Sequence, residues 1–255
     1  MKPASLPRTV AVLALTAFAG GDCLADSYST NSIADAFVAT GPTGNLSGDN
    51  FGAAGSLTIE SGALPKGEFQ SVLEFDLSGA ENHFNSVYGV GGWSIQSVTL
   101  QLTSSAHGNS IFNPVAPGLF GVSLMANNSW AEGTGTGGLP TTDGISYTSL
   151  QNTYINGAND QALGTFQFGG GSAGTSNYSL AVTSLLAGDL QGGNNVSLRL
   201  YPADNTVSYL FNSRQSPPAV PELTIVAVPE PGTLELGMTG LAMLAWWNRK
   251  RWIRT

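Results

Sequence analysis

Sulfur, histidine and charge are all scarce in this chain. Its one cysteine, Cys23, excludes an intrachain disulfide. The two histidines, His83 and His107, have no His or Cys nearby at ligand spacing, so no zinc motif is present. Charged residues make up only 10% of the 255, which excludes a coiled coil or helical bundle, since those need dense Glu, Lys, Arg, Ala and Leu. No Gly-x-Ser-x-Gly elbow, phosphate loop or His-Glu-x-x-His occurs, so the common hydrolase and nucleotide motifs are missing.

Basic residues are scarcest in the middle. Between residues 26 and 228 only Lys66, Arg199 and Arg214 oppose fourteen acidic residues, a net charge of −11. A body this acidic repels phosphate backbones, and nucleic acid is not an expected partner. What the chain does have is 33 glycines and 42% hydrophobic residues. That is too apolar for disorder throughout, and the pattern is one of short strands between Gly, Asn and Asp turns.

Residues 1–25 carry the three parts of a signal peptide. Lys2 and Arg8 come first, an apolar run over residues 10–19 follows, and Ala17-Phe18-Ala19 and Cys23-Leu24-Ala25 offer small-x-small cuts. Cleavage after Ala25 leaves a polar start at Asp26. Asp22 before Cys23 is not the small residue that a lipoprotein signal requires.

The other end is more specific. Pro229-Glu230-Pro231 precedes an apolar stretch over residues 234–247, and Arg249-Lys250-Arg251 follows it. The prolines favour an extended, protease-accessible backbone. The apolar stretch reads as a short transmembrane helix, with the basic cluster holding its far end in the cytoplasm. As a helix, residues 233–247 span roughly 22 Å against the ~30 Å hydrocarbon core, and Glu235 lies early in the run, so the anchor is marginal. These three parts, in this order, resemble a PEP-CTERM sorting signal. The resemblance implies a Gram-negative bacterium that makes exopolysaccharide, and a membrane-embedded cysteine transpeptidase (exosortase) as partner. Export would use the secretion translocon and signal peptidase, and membrane anchoring would be transient.

Between the ends, alternation with period two recurs. Leu73, Phe75 and Leu77 share one face of a strand, with Glu74 and Asp76 on the other. Val98-Leu100-Leu102, Phe120-Val122-Leu124, Tyr178-Leu180-Val182, Val196-Leu198-Leu200 and Val207-Tyr209-Phe211 repeat the pattern. Leu57-Ile59, Ile145-Tyr147, Phe166-Phe168 and residues 223–226 are shorter candidates, and residues 182–190 are the one helical candidate. Many one-faced strands must bury against each other, so the expected fold is an all-β, jelly-roll-like β-sandwich over residues 26–228. The sorting signal takes residues 229–255.

The order of motifs resembles the DNRLRE-type domain, a sandwich group related to carbohydrate-binding modules. Asp35-Ala36-Phe37-Val38, Asn50-Phe51-Gly52, Leu57-Thr58-Ile59, Phe75-Asp76-Leu77-Ser78 and residues 95–102 stand in the family's sequence. Trp130-Ala131-Glu132, Ser213, Pro217-Pro218 and Leu223-Thr224-Ile225 complete it. A Gly/Asn-rich insert over residues 81–92 departs from it.

Chemistry is sparse. Glu74 and Asp76 form a carboxylate pair on one strand face, or simply an exposed face. Asp35, Asp49 and Asn50 offer oxygens to Ca²⁺, or serve as turn formers. Trp93, Tyr88 and Tyr147 are the candidate sugar-stacking residues, with Tyr154 and Tyr201 behind them and core packing as the alternative for each. Trp130 reads as structural. No cofactor, metal site or catalytic residue is expected. The leading function is a non-catalytic surface or matrix protein associated with exopolysaccharide, with direct glycan binding in its stronger form. The alternatives are an adhesive scaffold without a ligand, and an extracellular hydrolase that would need two facing carboxylates in a cleft.

Overall fold

The computed structural model describes residues 24–105, 116–169 and 174–230. Nearly all of the expected signal peptide, His107, Pro231, Arg249, Lys250, Arg251 and the expected membrane helix lie outside the described residues. Among the described residues no helix is long and apolar enough to cross a membrane.

Among the described residues strand accounts for 45% and helix for 14%, so sheet pairing organises the molecule. Ten strands among the described residues run β1 (Asp26–Ala39), β2 (Ser56–Glu60), β3 (Phe69–Asp76), β4 (Trp93–Thr103), β5 (Gly118–Met125), β6 (Gln161–Phe168), β7 (Thr175–Leu180), β8 (Asn195–Pro202), β9 (Ser208–Asn212) and β10 (Glu222–Pro229). Their lateral order is β6-β5-β8-β3-β1-β10-β4-β7, with β2 and β9 branching from β3 as a separate pair. Every named pairing is antiparallel.

β1 joins the two halves. Residues Asp26 to Asn31 pair with β10, the rest of the strand from Ser32 pairs with β3, and the β1–β3 register shifts between Ser32 and Ala34. A bulge of this kind bends and twists the strand, which lets one strand serve two sheets. The result is a nearly closed, barrel-like sheet. At its open seam the Ala181 N–H donates to the Leu163 carbonyl at 2.8 Å, linking the end of β7 to β6. Bridges from Ser104 to Phe211 and from Ala116 to Ser208 tie β9 to the neighbouring chain.

The alternation seen in the sequence decides which side chains fill the interior. Leu73 and Phe75, Leu198 and Leu200, and Val122 and Leu124 face Val98, Leu100 and Leu102, Tyr178, Leu223 and Ile225 in one continuous core. Val182 falls beyond the end of β7, and Ala181 to Thr183 lead instead into a helix. A second core forms on the outer face, where Ala36, Val38, Val72 and Met125 are covered by Trp130, Ile145 and Leu150. Those covering residues belong to a long excursion between β5 and β6. It contains a short helical turn, α2 (Tyr147–Ser149), and a wider turn over Leu150–Tyr154. A strand over Ile145 and Tyr147 is therefore not formed. Ser146 caps the turn reciprocally with Ser149, an arrangement that favours a helix start over a strand.

Helix α1 (Ser78–Tyr88) occupies much of the Gly/Asn-rich insert that the sequence pattern left unstructured. Ala80, Phe84 and Tyr88 recur at four-residue spacing, which places them on one helical face. Ala80 and Phe84 are buried, and Tyr88 packs half-buried on the same core. The Asp76 carboxylate accepts from the Ser78 N–H at 2.8 Å, satisfying a donor at the helix start. A further helix, α3 (Ser184–Gln191), matches the expected helical segment and is capped by Thr183.

Candidate functional site

The outer face of β3, β5 and β8 carries a linked polar and aromatic cluster. Leu198 and Leu200 of β8 point inward, so Arg199 and Tyr201 point outward. Arg199 Nε donates to Gln70 Oε1 at 2.6 Å. Gln70 Nε2 in turn donates to Glu68 Oε1, and the Tyr147 hydroxyl donates to Glu68 Oε2 at 3.0 Å. The Tyr201 ring leans over Gly121, its direct partner across the β5–β8 pair. A Cβ at Gly121 would stand 2.3 Å from that ring, so only glycine allows the close approach. The Arg199 guanidinium carbon lies 4.6 Å from the Tyr201 ring centroid, within cation–π range.

Burial and neighbours shape the chemistry of this face. Desolvation, then the Glu68 charge, push the Tyr147 hydroxyl up to about 12. It therefore stays a hydrogen-bond donor at any physiological pH. Desolvation lowers the Arg199 pKa, partly offset by Tyr201 and Glu68. Glu68 also lines an adjoining hollow of about 380 Å³, together with Ser61, Gly62, Pro202, Asp204 and Asn205. The face thus offers an aromatic plane, a carboxylate and a guanidinium beside an open hollow, with the buried Gln70 amide linking the two charged groups from beneath. Such a set can stack on the apolar face of a sugar ring and hydrogen-bond its hydroxyls.

The sequence singled out Tyr147 and Tyr201 but not Glu68, Gln70 or Arg199. The signal was present in Ser197-Leu198-Arg199-Leu200-Tyr201, where one of only three cations in the body alternates with core leucines.

Trp93 and Tyr88 lie elsewhere, where α1 meets β4 and β10. Trp93 is 2% exposed, so its ring has no free face for stacking in this conformation. Its Nε1–H donates to Asn85 Oδ1 at 2.9 Å, and its ring packs 5.0 Å from Phe84. Tyr88 is half-buried, with its hydroxyl donating to the carbonyls of Leu24 and Ala227. Trp93 borders a second cavity of about 380 Å³, lined also by Glu81, Asn85, Val90, Gln191 and Glu230. Pro229 pairs with Trp93, and the Glu230 N–H donates to the Gly92 carbonyl at 2.9 Å. The first two residues of Pro-Glu-Pro therefore close the last strand, with Glu230 exposed.

A third cluster runs from the interior to the surface. Asp35 is fully buried. Its Oδ2 accepts from the Arg214 N–H at 2.6 Å and the Ser32 hydroxyl at 3.5 Å, while Oδ1 is buried without a partner. Glu132 Oε1 accepts from the Asp35 N–H at 3.1 Å, Arg214 Nε at 2.6 Å and Gln215 Nε2 at 2.8 Å. Arg214 also pairs with Glu132 Oε2. Desolvation first, with the Glu132 charge adding to it, pushes the Asp35 carboxyl up to about 7. The hydrogen bond and charge of Glu132 hold Arg214 above its ordinary value.

Asn50, also fully buried, donates to the carbonyls of Glu132 and Ile145 at 2.7 and 2.8 Å. Its Oδ1 accepts from the N–H groups of Gly52 and Gly135, both at 3.1 Å. A Cβ on Gly133, which has φ +78°, would stand 2.2 Å from that oxygen. With its amide thus occupied, Asn50 acts as a structural tie. Among the described residues no group of three or more His, Cys, Asp or Glu could hold a metal ion. The Glu74 and Asp76 carboxylates are engaged with Asn195 and Ser78 respectively. His83 sits on α1 rather than in a loop, 2.8 Å from Asp26.

No family model matches the chain, and no curated protein matches it. Among solved structures the chain is similar to one of Desmodium yellow mottle tymovirus, at 11% identity and a TM-score of 0.23. That similarity covers 91% of this chain and 96% of the other, and at such a TM-score it carries no argument about this protein.

Proposed function

We propose that this chain is an exported, non-catalytic surface or matrix protein whose body associates with exopolysaccharide and binds glycan on the outer β3–β5–β8 face. In this reading residues 26–228 are a jelly-roll-like sandwich of the DNRLRE type. Residues 1–25 address the chain to the secretion translocon and signal peptidase. Residues 229–255 hold it briefly in the inner membrane of a Gram-negative bacterium for an exosortase-type transpeptidase. Supporting the processing step, Glu230 is exposed where the last strand stops.

The observation that carries glycan binding is the convergence of Tyr147, Glu68, Gln70, Arg199 and Tyr201 beside an open hollow. The test is retention of the protein in affinity gels cast with neutral and acidic polysaccharides, for the wild type and Tyr201→Ala. Loss of an aromatic contact of about 1 kcal/mol weakens binding roughly fivefold. Lack of retention on every polysaccharide would remove the binding half of the proposal. A specific observation favours the scaffold alternative: the one tryptophan singled out for stacking, Trp93, is buried.

A further inference from the structure

We propose that the end of the domain formed by α1 and the α1–β4 turn faces the lipid bilayer, with Val87 and Val90 in its headgroup layer. The inference rests on residues 234–247 being the membrane anchor proposed above. Three observations carry it.

The first is the length of the tether. Strand pairing persists to Pro229, opposite Trp93, and the Glu230 N–H is still bonded to Gly92. Only residues 231–233 then separate the folded body from Leu234, the first residue of the apolar stretch. Four residue steps of fully extended chain reach at most about 14 Å. Glu230, bonded to the α1–β4 turn, therefore cannot stand further than that from where the apolar stretch begins.

The second is the surface found there. Val90 is 89% exposed and Val87 50% exposed. Val90 lines the same cavity as Glu230, so this apolar surface adjoins the point where the chain leaves the fold. Half-buried Tyr88 stands between the two valines in sequence, with its hydroxyl at the Ala227 carbonyl. A short apolar surface with a tyrosine suits the interfacial layer rather than the hydrocarbon centre.

The third is charge. The ionisable side chains at this end include Asp26, His83, Glu81 and Glu230, of which Asp26 and His83 are paired, and the neighbouring α3 adds Asp189. The three cations of residues 26–228, Lys66, Arg199 and Arg214, belong to other regions of the sequence and structure. The side chains there carry a net negative charge, so attraction to anionic lipid does not hold the contact, which relies on apolar insertion into a zwitterionic surface. Added salt should not release it.

The test uses the tail-bearing exported form, which lacks Cys23, reconstituted in phosphatidylcholine vesicles containing lipids with headgroup nitroxide labels. Single cysteines carrying a fluorophore are placed by Val90→Cys, Leu139→Cys and Ala245→Cys. Leu139 is the distant control. It lies two residues from Thr141, which bridges to Asn50, and the adjacent Phe51 bridges to Phe37, eleven residues along β1 from Asp26. Eleven residues of strand cover at most about 36 Å, less the bend at Ser32, which still leaves position 139 towards the other end of β1. Quenching at position 90 should exceed that at 139 at least threefold and persist in 0.5 M NaCl. Equal quenching at 90 and 139, or none at 90 while 245 is quenched, overturns the proposed orientation and leaves the anchor intact. Absence of quenching at both 245 and 90 overturns the anchor and the orientation together. Quenching at 90 without quenching at 245 supports the apolar contact and refutes the anchor.

Discussion

Replacing Asp35 by asparagine should change how the stability of this protein depends on pH. The carboxyl group is fully buried, and desolvation with the nearby Glu132 charge holds its pKa at about 7 against an ordinary 3.8. The folded state therefore keeps the proton up to about pH 7, whereas the unfolded chain releases it near pH 4. Between those values folding takes up a proton, so stability falls as pH rises through the window and is level above it. The rise from 3.8 to about 7 corresponds to about 4 kcal/mol across the window. The Asp35→Asn variant would have no such slope. Its amide oxygen can accept from the Arg214 N–H as the aspartate does, while its amide nitrogen takes the place of the unpartnered Oδ1. An unmet buried donor costs about 1–3 kcal/mol at every pH, which offsets the curve without tilting it. Urea unfolding of both proteins at intervals from pH 4 to pH 8 isolates the effect as a difference. The variant should gain about 4 kcal/mol relative to the wild type over that range, on the order of 10 °C in Tm for a domain of this size. Parallel stability profiles would refute the reasoning, because they would mean that Asp35 ionises in the folded state as it does in the unfolded one.

Other substitutions test other parts of the structure. Asn50→Ala removes four hydrogen bonds and leaves their backbone partners unmet, so chemical unfolding should show a loss of about 3 kcal/mol or more. Gly121→Val places a side chain where the Tyr201 ring lies. Polysaccharide retention should fall severalfold while Tm changes by only a few degrees, because a surface tyrosine can swing away at about 1 kcal/mol. Hydrogen bonds from Thr141 and Thr134 hold the exposed Asp143 carboxyl down to about 2. Its hold on that loop is thus present above the ordinary carboxylate range and is lost as pH falls through about 2. Asp143→Ala should speed hydrogen exchange at the Thr134 amide already at neutral pH, and unchanged exchange would count against the clasp.

Much of the barrel was legible because its core strands are strictly alternating. Leu73 and Phe75, Val98 to Leu102 and Val196 to Leu200 all project inward as their spacing requires. Helix α1 was missed for a physical reason. Its apolar spacing of Ala80, Phe84 and Tyr88 is helical, but Gly79, Asn82 and Asn85 weaken the local propensity, and burial on the core overrides it. The burial of Trp93 follows from the same omission, since it is α1 that brings Phe84 and Asn85 onto the indole. Of the outer face, Tyr147 and Tyr201 were visible as single aromatics. Their linkage through Glu68, Gln70 and Arg199 depends on strand register and on the β5–β6 excursion, neither of which a linear pattern specifies.

The motif residues and the proposed binding residues divide cleanly between two jobs. Asp35, Asn50, Trp130, Glu132 and Ser213 are scattered over nearly 180 residues of sequence, yet all but Ser213, whose bonds are local, are bonded to another part of the chain. Trp130 Nε1–H donates to Ser197 at 2.8 Å, and the Ser213 hydroxyl donates to Gln215. Asp35, Glu132 and Asn50 are tied as described to the segments at residues 52, 135, 145 and 214. Groups so engaged have little left for a ligand, and removing one leaves buried partners unmet. A sequence pattern built on them therefore tracks the architecture of the domain. The outer-face side chains, Tyr147, Glu68, Gln70, Arg199 and Tyr201, are half-buried at most apart from Gln70, and none of them belongs to that pattern. On the proposed function, ligand preference would change through Tyr147, Glu68, Arg199 and Tyr201 while the network around Asp35 and Asn50 stays intact. Exchanging Arg199 and Tyr201 should then alter which polysaccharide is retained with a smaller effect on unfolding than any change at Asn50.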